Sequence, residues 1–168
     1  MESDFDIVFA ALGERHVRYL VVGGVAVVLH GYPRFTADLD LIVALDDSNV
    51  RAAMEALTSL GFRPRAPVGA LEFADPNKRR EWIQDKGLVV FSLWSPDHPA
   101  TEIDVFVEEP FPFTPAFERA TRVSLGSLSV RVAAIPDLIL LKQRAGRPKD
   151  LDDIEKLREI TERESGHD

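Results

Sequence analysis

YLVVGGVAVVLHGYPRFTADLDL, residues 19–41, is the stretch on which the fold turns. An apolar segment, Val17 to Val22, has the composition of a strand and runs directly into Gly23-Gly24. A second short apolar run, Val25 to His30, closes at Gly31-Tyr32-Pro33 and fits a buried helix stopped by a turn. A further strand is expected over Leu39 to Leu45, with Asp38 and Asp40 at its start.

Residues two apart on a strand share a face, with their α-carbons about 6.5 to 7 Å apart. Asp38 and Asp40 therefore point one way, and Leu39 and Leu41 point the other, into a core. Two carboxylates held on one face repel each other unless a cation lies between them. Their hard oxygen donors suit Mg²⁺ or Mn²⁺ better than zinc. Strand ends also carry acidic residues for solubility, so the pair by itself is an ordinary feature.

Two further elements bear on it. In Glu102-Ile103-Asp104-Val105-Phe106-Val107 the apolar residues Ile103, Val105 and Val107 form one face, which leaves Asp104 on the other with Glu102 and Phe106. If that strand neighbours the first, three aspartates can converge on the metal ions of a phosphoryl-transfer site, with Glu102 as a rival ligand. Gly23-Gly24, between strand and helix, permits close backbone approach and offers N–H groups to a phosphate; a tight packing turn explains the pair equally well. It is no dinucleotide fingerprint, because the G-x-G-x-x-G spacing is absent.

Working outward, the chain of 168 residues suits one domain over 1–168 with a helical segment at 135–168. Hydrophobic residues at 45% allow a core, and no apolar run approaches the roughly 18 to 20 residues that span a bilayer. The acidic start, Met1-Glu2-Ser3-Asp4, is unlike a signal peptide, and a cytoplasmic protein is expected. With no cysteine there is neither a disulfide nor a thiolate metal site. A net charge of −8 disfavours general nucleic-acid binding, although Arg63, Arg65, Lys78, Arg79 and Arg80 lie close together. His16, His30, His98 and His167 show no zinc spacing.

The remaining elements alternate. Asp4 to His16 is helical in its spacing, and Asp46-Asp47-Ser48 offers a cap to a helix through Leu60, ended by Gly61. Phe62 to Pro67 reads as an extended edge piece, and Val68 to Asp85 as loop with some helix. Leu88 to Trp94 and Glu102 to Val107 form an antiparallel hairpin, and Pro110 to Pro115 a surface loop. Arg122 to Leu125 and Leu128 to Val132 flank the turn Gly126-Ser127. Helices over Pro136 to Ala145 and Lys149 to Arg163 end the chain. The class is α/β, a mixed β-sheet with flanking helices and a short C-terminal helical segment. Of the tryptophans, Trp94 is assigned to the core; either it or Trp82 can stack on a base.

Taken together, Val22-Gly23-Gly24, thirteen residues, and Asp38-Leu39-Asp40-Leu41, with Asp104 on a later strand, resemble the nucleotidyltransferase superfamily of the polymerase-β type. In finer detail Tyr19 to Ala26, His30 to Asp40 and the tail Asp137 to Ile154 resemble the small prokaryotic group related to abortive-infection toxins and minimal nucleotidyltransferases. The resemblance implies a metal-dependent enzyme that moves an NMP from an NTP to an acceptor hydroxyl. It implies Asp38, Asp40 and Asp104 as catalytic metal ligands, Asp104 also activating the acceptor, and Gly23 and Gly24 against the triphosphate. Many active members have Ser where this chain has Gly24. Arg34 and Thr36 can add a charge-assisted bond and a hydroxyl. Lys142 can neutralise phosphate or be an ordinary surface lysine, the second being favoured, and Lys149 and Asp150 can simply start and cap the last helix. Nucleotide triphosphate and Mg²⁺ or Mn²⁺ are thus the expected ligands. The acceptor (RNA, protein or a small molecule) is left open, as is a protein partner in a toxin–antitoxin pair. Two rival readings use the same sheet: a catalytically inactive binding module, and a nuclease or hydrolase that directs water at the phosphate.

Overall fold

A computed structural model describes residues 3–166; Met1, Glu2, His167 and Asp168 lie outside the described residues. Its centre is one seven-stranded sheet. Helix α1 (Asp4–Glu14) leads into β1 (Tyr19–Val22), α2 (Gly23–Leu29), β2 (Asp38–Val43) and α3 (Asp47–Ser59). The edge strand β3 (Arg63–Pro64), a 3₁₀ turn (Ala70–Ala74) and α4 (Pro76–Lys86) precede the pair β4 (Val90–Trp94) and β5 (Glu102–Phe106). Helix α5 (Phe113–Glu118), the hairpin β6 (Thr121–Leu125) and β7 (Leu128–Val132), and helices α6 (Ile135–Ala145) and α7 (Pro148–Ser165) complete it.

The spatial order is β3-β4-β5-β2-β1-β7-β6. The sheet is mixed: β2 runs parallel to β5 and β1 parallel to β7, while the other neighbours are antiparallel. Alternation explains why β2 and β5 sit at its middle. Leu39, Leu41, Ile103 and Val105 are completely buried on one face, so a slip of one residue would turn four aliphatic side chains to the other side. That penalty locks the register in which Asp40 lies opposite Asp104 and Asp38 opposite Glu102.

Several details depart from the sequence expectation. The stretch 68–85, expected as loop with some helix, holds more helix than that: α4 fills its second half and runs on to Lys86, because Asp75 caps it, Pro76 opens it and Gly87, at φ 60°, closes it. Its periodicity is faint, since only Arg79 and Trp82 are buried. The segment 110–115 is loop only as far as Pro112, where α5 begins and buries Phe113. The tryptophans exchange roles. Trp82 is the buried one, stacked on Phe91 at 5.2 Å, whereas Trp94 is half-buried beneath the guanidinium groups of Arg63 and Arg65. The five basic residues 63–80 do not act alike: Arg79 is buried and donates to the Phe73 carbonyl at 2.5 Å. No helix among the described residues is long and apolar enough to cross a membrane.

One buried amide fastens the first half of the sheet. Asn49 accepts from the Arg18 backbone N–H at 2.8 Å and donates to the Arg18 and Ala44 carbonyls at 3.0 and 2.8 Å. It thereby joins α3 to the entrance of β1 and the exit of β2. Asn49→Ala leaves these backbone groups without partners in a dry environment and is expected to cost about 2 to 4 kcal/mol. Urea denaturation measures it, and a loss below about 1 kcal/mol would mean that the contact is not a fastener.

Candidate active site

The eight residues singled out in the sequence line one cavity of about 360 Å³, at the end of the sheet where β2 and β5 begin. Asp38 and Asp40 come from β2, Asp104 from β5, Gly23 and Gly24 from the first residues of α2, Arg34 and Thr36 from the connection to β2, and Lys142 from α6.

Glycine at 23 is a requirement of shape. Its φ is +70°, which side chains rarely adopt, and a Cβ there would lie 1.9 Å from Asp40 Oδ2. Backbone and carboxylate are thus pressed together. At Gly24 a Cβ would meet Thr36 Oγ1 at 2.7 Å and Arg34 Nη2 at 2.9 Å. The space that a serine would need is occupied by Thr36, which itself brings a hydroxyl to the same spot. The departure from a Gly-Ser pattern therefore has a steric cause.

Charge is crowded at the β2–β5 seam. Burial, then the charges of Asp104 and Asp38, push the Asp40 carboxyl up to about 7, against the weaker pull of Lys142. Burial also raises Asp104, helped by Glu102 and Asp38, while a hydrogen bond from Ser92 Oγ to Asp104 Oδ1 at 2.6 Å works in the opposite sense. The nearness of Asp104 is thus one of the causes that hold Asp40 protonated. Ser92, opposite Asp104 in β4, is a residue that sequence reading missed; only the hairpin register could have found it. Glu102 is turned to other work, because Arg65, the residue after β3, holds its carboxylate in an ion pair.

Opposite the carboxylates stands a basic wall. Lys142 is buried, contrary to the surface position favoured from sequence, because α6 packs against both α7 and α2. Its ammonium donates to Asp153 at 2.7 Å and lies 3.7 Å from Asp150. Arg34 Nη1 donates to both oxygens of the same Asp153, at 2.7 and 2.6 Å. Asp150 does cap α7, accepting from the Arg147 N–H and side chain, and those bonds outweigh the burial that would otherwise raise its carboxyl. Lys149 and Arg147 complete the rim. Asp153 and Arg147 were given no role in the sequence, where Asp153 falls inside the last helix and Arg147 in the break before it.

Among the described residues no three His, Cys, Asp or Glu side chains close around a point as a ready-made metal cage. The donor chemistry nevertheless suits a hard cation. Asp40 and Asp104 are partly desolvated carboxylates whose ionisation is opposed by their neighbours, and added positive charge removes that opposition.

In sequence, residues 8–163 match the family described as nucleotidyltransferase of unknown function (DUF6036). The chain belongs to that family. No curated protein matches it in sequence. In fold, this nucleotidyltransferase is similar to the lincosamide antibiotic adenylyltransferase LnuA, solved with lincomycin bound. The two are 14% identical with a TM-score of 0.64, over 95% of this chain and 98% of that one. It is also similar to ANT(2'')-Ia, solved in complex with adenylyl-2''-tobramycin, at 16% identity and a TM-score of 0.57 over 91% and 84% of the two chains. At these identities the likeness is one of fold.

The raised Asp40 carboxyl makes the fold of this nucleotidyltransferase pH-sensitive. Unfolded, the group ionises near 3.8; folded, it holds its proton to about 7. Its contribution to stability is greatest below pH 4 and is lost as pH rises from 4 to 7. In chelator, Asp40→Asn is therefore expected to match the parent near pH 4 and to exceed it at pH 8 by on the order of 2 to 4 kcal/mol. Melting curves across that range decide it, and a gap independent of pH would show that Asp40 titrates normally.

Proposed function

We propose that this nucleotidyltransferase moves a nucleoside monophosphate from an NTP to an acceptor hydroxyl in a Mg²⁺- or Mn²⁺-dependent reaction. The observation that carries the reading is the β2–β5 register, which sets Asp40 beside Asp104, with Asp38 next along the strand. Asp38, Asp40 and Asp104 would hold the metal. When bound, it supplies positive charge to the phosphate oxygens that gain charge during transfer.

The chain's own residues account for the rest. Gly23 and Gly24 let Asp40, Thr36 and Arg34 close against the backbone, so that these groups can face the triphosphate together. Lys142 and Arg34, oriented by Asp153, face the phosphates with charge that is already in place. In the transfer the acceptor oxygen bonds to the α-phosphorus as the bond to the bridging oxygen breaks. Pyrophosphate departs with that electron pair, and the hydroxyl proton passes to the Asp104 carboxylate. Ser92 keeps that carboxylate turned toward the site.

NTP and Mg²⁺ supply puts the reaction in the cytoplasm. A toxin–antitoxin setting with a protein partner rests on the sequence resemblance alone. An adenylyl group is a natural first choice, since LnuA is an adenylyltransferase and ANT(2'')-Ia was solved with an adenylylated product.

The test incubates the protein with each α-labelled NTP, Mg²⁺ and a cell extract, and follows label into RNA, protein and small molecules. Asp38→Ala and Asp40→Ala are expected to abolish transfer, and Lys142→Ala to lower it about 100-fold. Label released only as free NMP would instead mark a hydrolase. Undiminished transfer by Asp40→Ala would overturn the assignment of the site.

A further inference from the structure

A second cavity, of about 580 Å³, adjoins the first. Val89, Phe106, Leu141 and Ala145 line both, so the two are direct neighbours. Its walls are largely apolar, Leu88 and Pro110 among them, and its size suits a small organic molecule. The phosphate chemistry already placed does not use it.

The order of the strands says which reactant it serves. The Gly23-Gly24 turn stands at the end of β1, and the next strands are β2 with Asp38 and Asp40, β5 with Asp104, then β4. Phe106 lies two residues beyond Asp104 on the same strand, and Leu88 and Val89 lead into β4. The apolar cavity is therefore across the carboxylates from the turn and from Arg34. In-line displacement brings the entering oxygen from the side opposite the leaving pyrophosphate. With pyrophosphate toward the glycines, the acceptor arrives through this cavity.

Its lining also discriminates. Arg34, Lys142, Arg147 and Lys149 all belong to the first cavity. The second has only Arg144, whose guanidinium donates to the Pro110 carbonyl at 2.6 Å, and Glu108 of opposite charge. A polynucleotide acceptor needs a track of cations for its phosphates, and this surface has none. Resting on the nucleotidyl-transfer reading above, we infer that the cavity between α4, β5 and α6 is the acceptor subsite, and that the acceptor is a compact small-molecule alcohol with an apolar body.

The test titrates 2-phenylethanol, as a fragment with that chemistry, into isotope-labelled full-length protein saturated with Mg²⁺ and a non-hydrolysable ATP analogue. Amide shifts are expected at Leu88, Val89, Phe106 and Leu141 while the nucleotide stays bound. Leu88→Gln, with Ile83→Gln as a second variant on the same wall, should weaken the fragment roughly tenfold. Either variant should leave nucleotide affinity within about twofold. Absence of fragment shifts, competition between fragment and nucleotide, or weakened nucleotide binding in both variants would overturn the inference, the last two by assigning the cavity to the nucleobase. Shifts at the same residues from an oligoadenylate would overturn it in favour of nucleic acid. If the wild type binds no nucleotide, the transferase reading fails, and fragment shifts measured without nucleotide still report on the cavity.

Discussion

The structure depends on two carboxylates that the sheet refuses to separate. Asp40 and Asp104 are opposite each other on parallel neighbouring strands, and the strands cannot slide without expelling Leu39, Leu41, Ile103 and Val105 from the core. Hydrophobic burial on one face thus enforces electrostatic tension on the other. Asp38 adds a third negative charge, and the Gly23 backbone closes against Asp40 so tightly that no side chain fits between them. The protein holds its negative charge in one corner and leaves it incompletely satisfied.

The basic wall is organised by the same economy. Lys142 and Arg34 come from segments more than one hundred residues apart, yet both meet at Asp153, which is almost completely buried. Removing Asp153 would leave two cations to find new positions. It fixes both cations in place, and under the proposed function a phosphate would meet charge that is already ordered. Asp150 and Arg147 form a second such pair at the start of α7.

Much of this was legible in the sequence, for a physical reason. Alternation with period two in Asp38–Val43 and Glu102–Phe106 identifies both strands and which residues face away from the core. Gly-Gly between two apolar runs marks a close approach. What sequence could not show were properties set by long-range packing. Lys142 looks like any lysine on an amphipathic helix until α7 and α2 cover it. Trp82 and Trp94 differ only in which strand or helix stacks on them. Ser92 enters the site through the β4–β5 register, and Glu102 leaves it through Arg65. Helix α4 lacks an apolar stripe, so its end signals, Asp75, Pro76 and Gly87, carried the information.

Under the proposed function, a cation that arrives with the nucleotide relieves the tension at Asp40. Proton release on binding tests it most directly. Calorimetric titration of a Mg²⁺-saturated, non-hydrolysable ATP analogue at pH 7, in buffers of different ionisation enthalpy, counts the protons displaced. With the Asp40 carboxyl near 7, about half a proton should leave per site in the wild type and none from that group in Asp40→Asn. Binding without proton release, or with the same release in both proteins, would contradict relief of Asp40 by a bound cation.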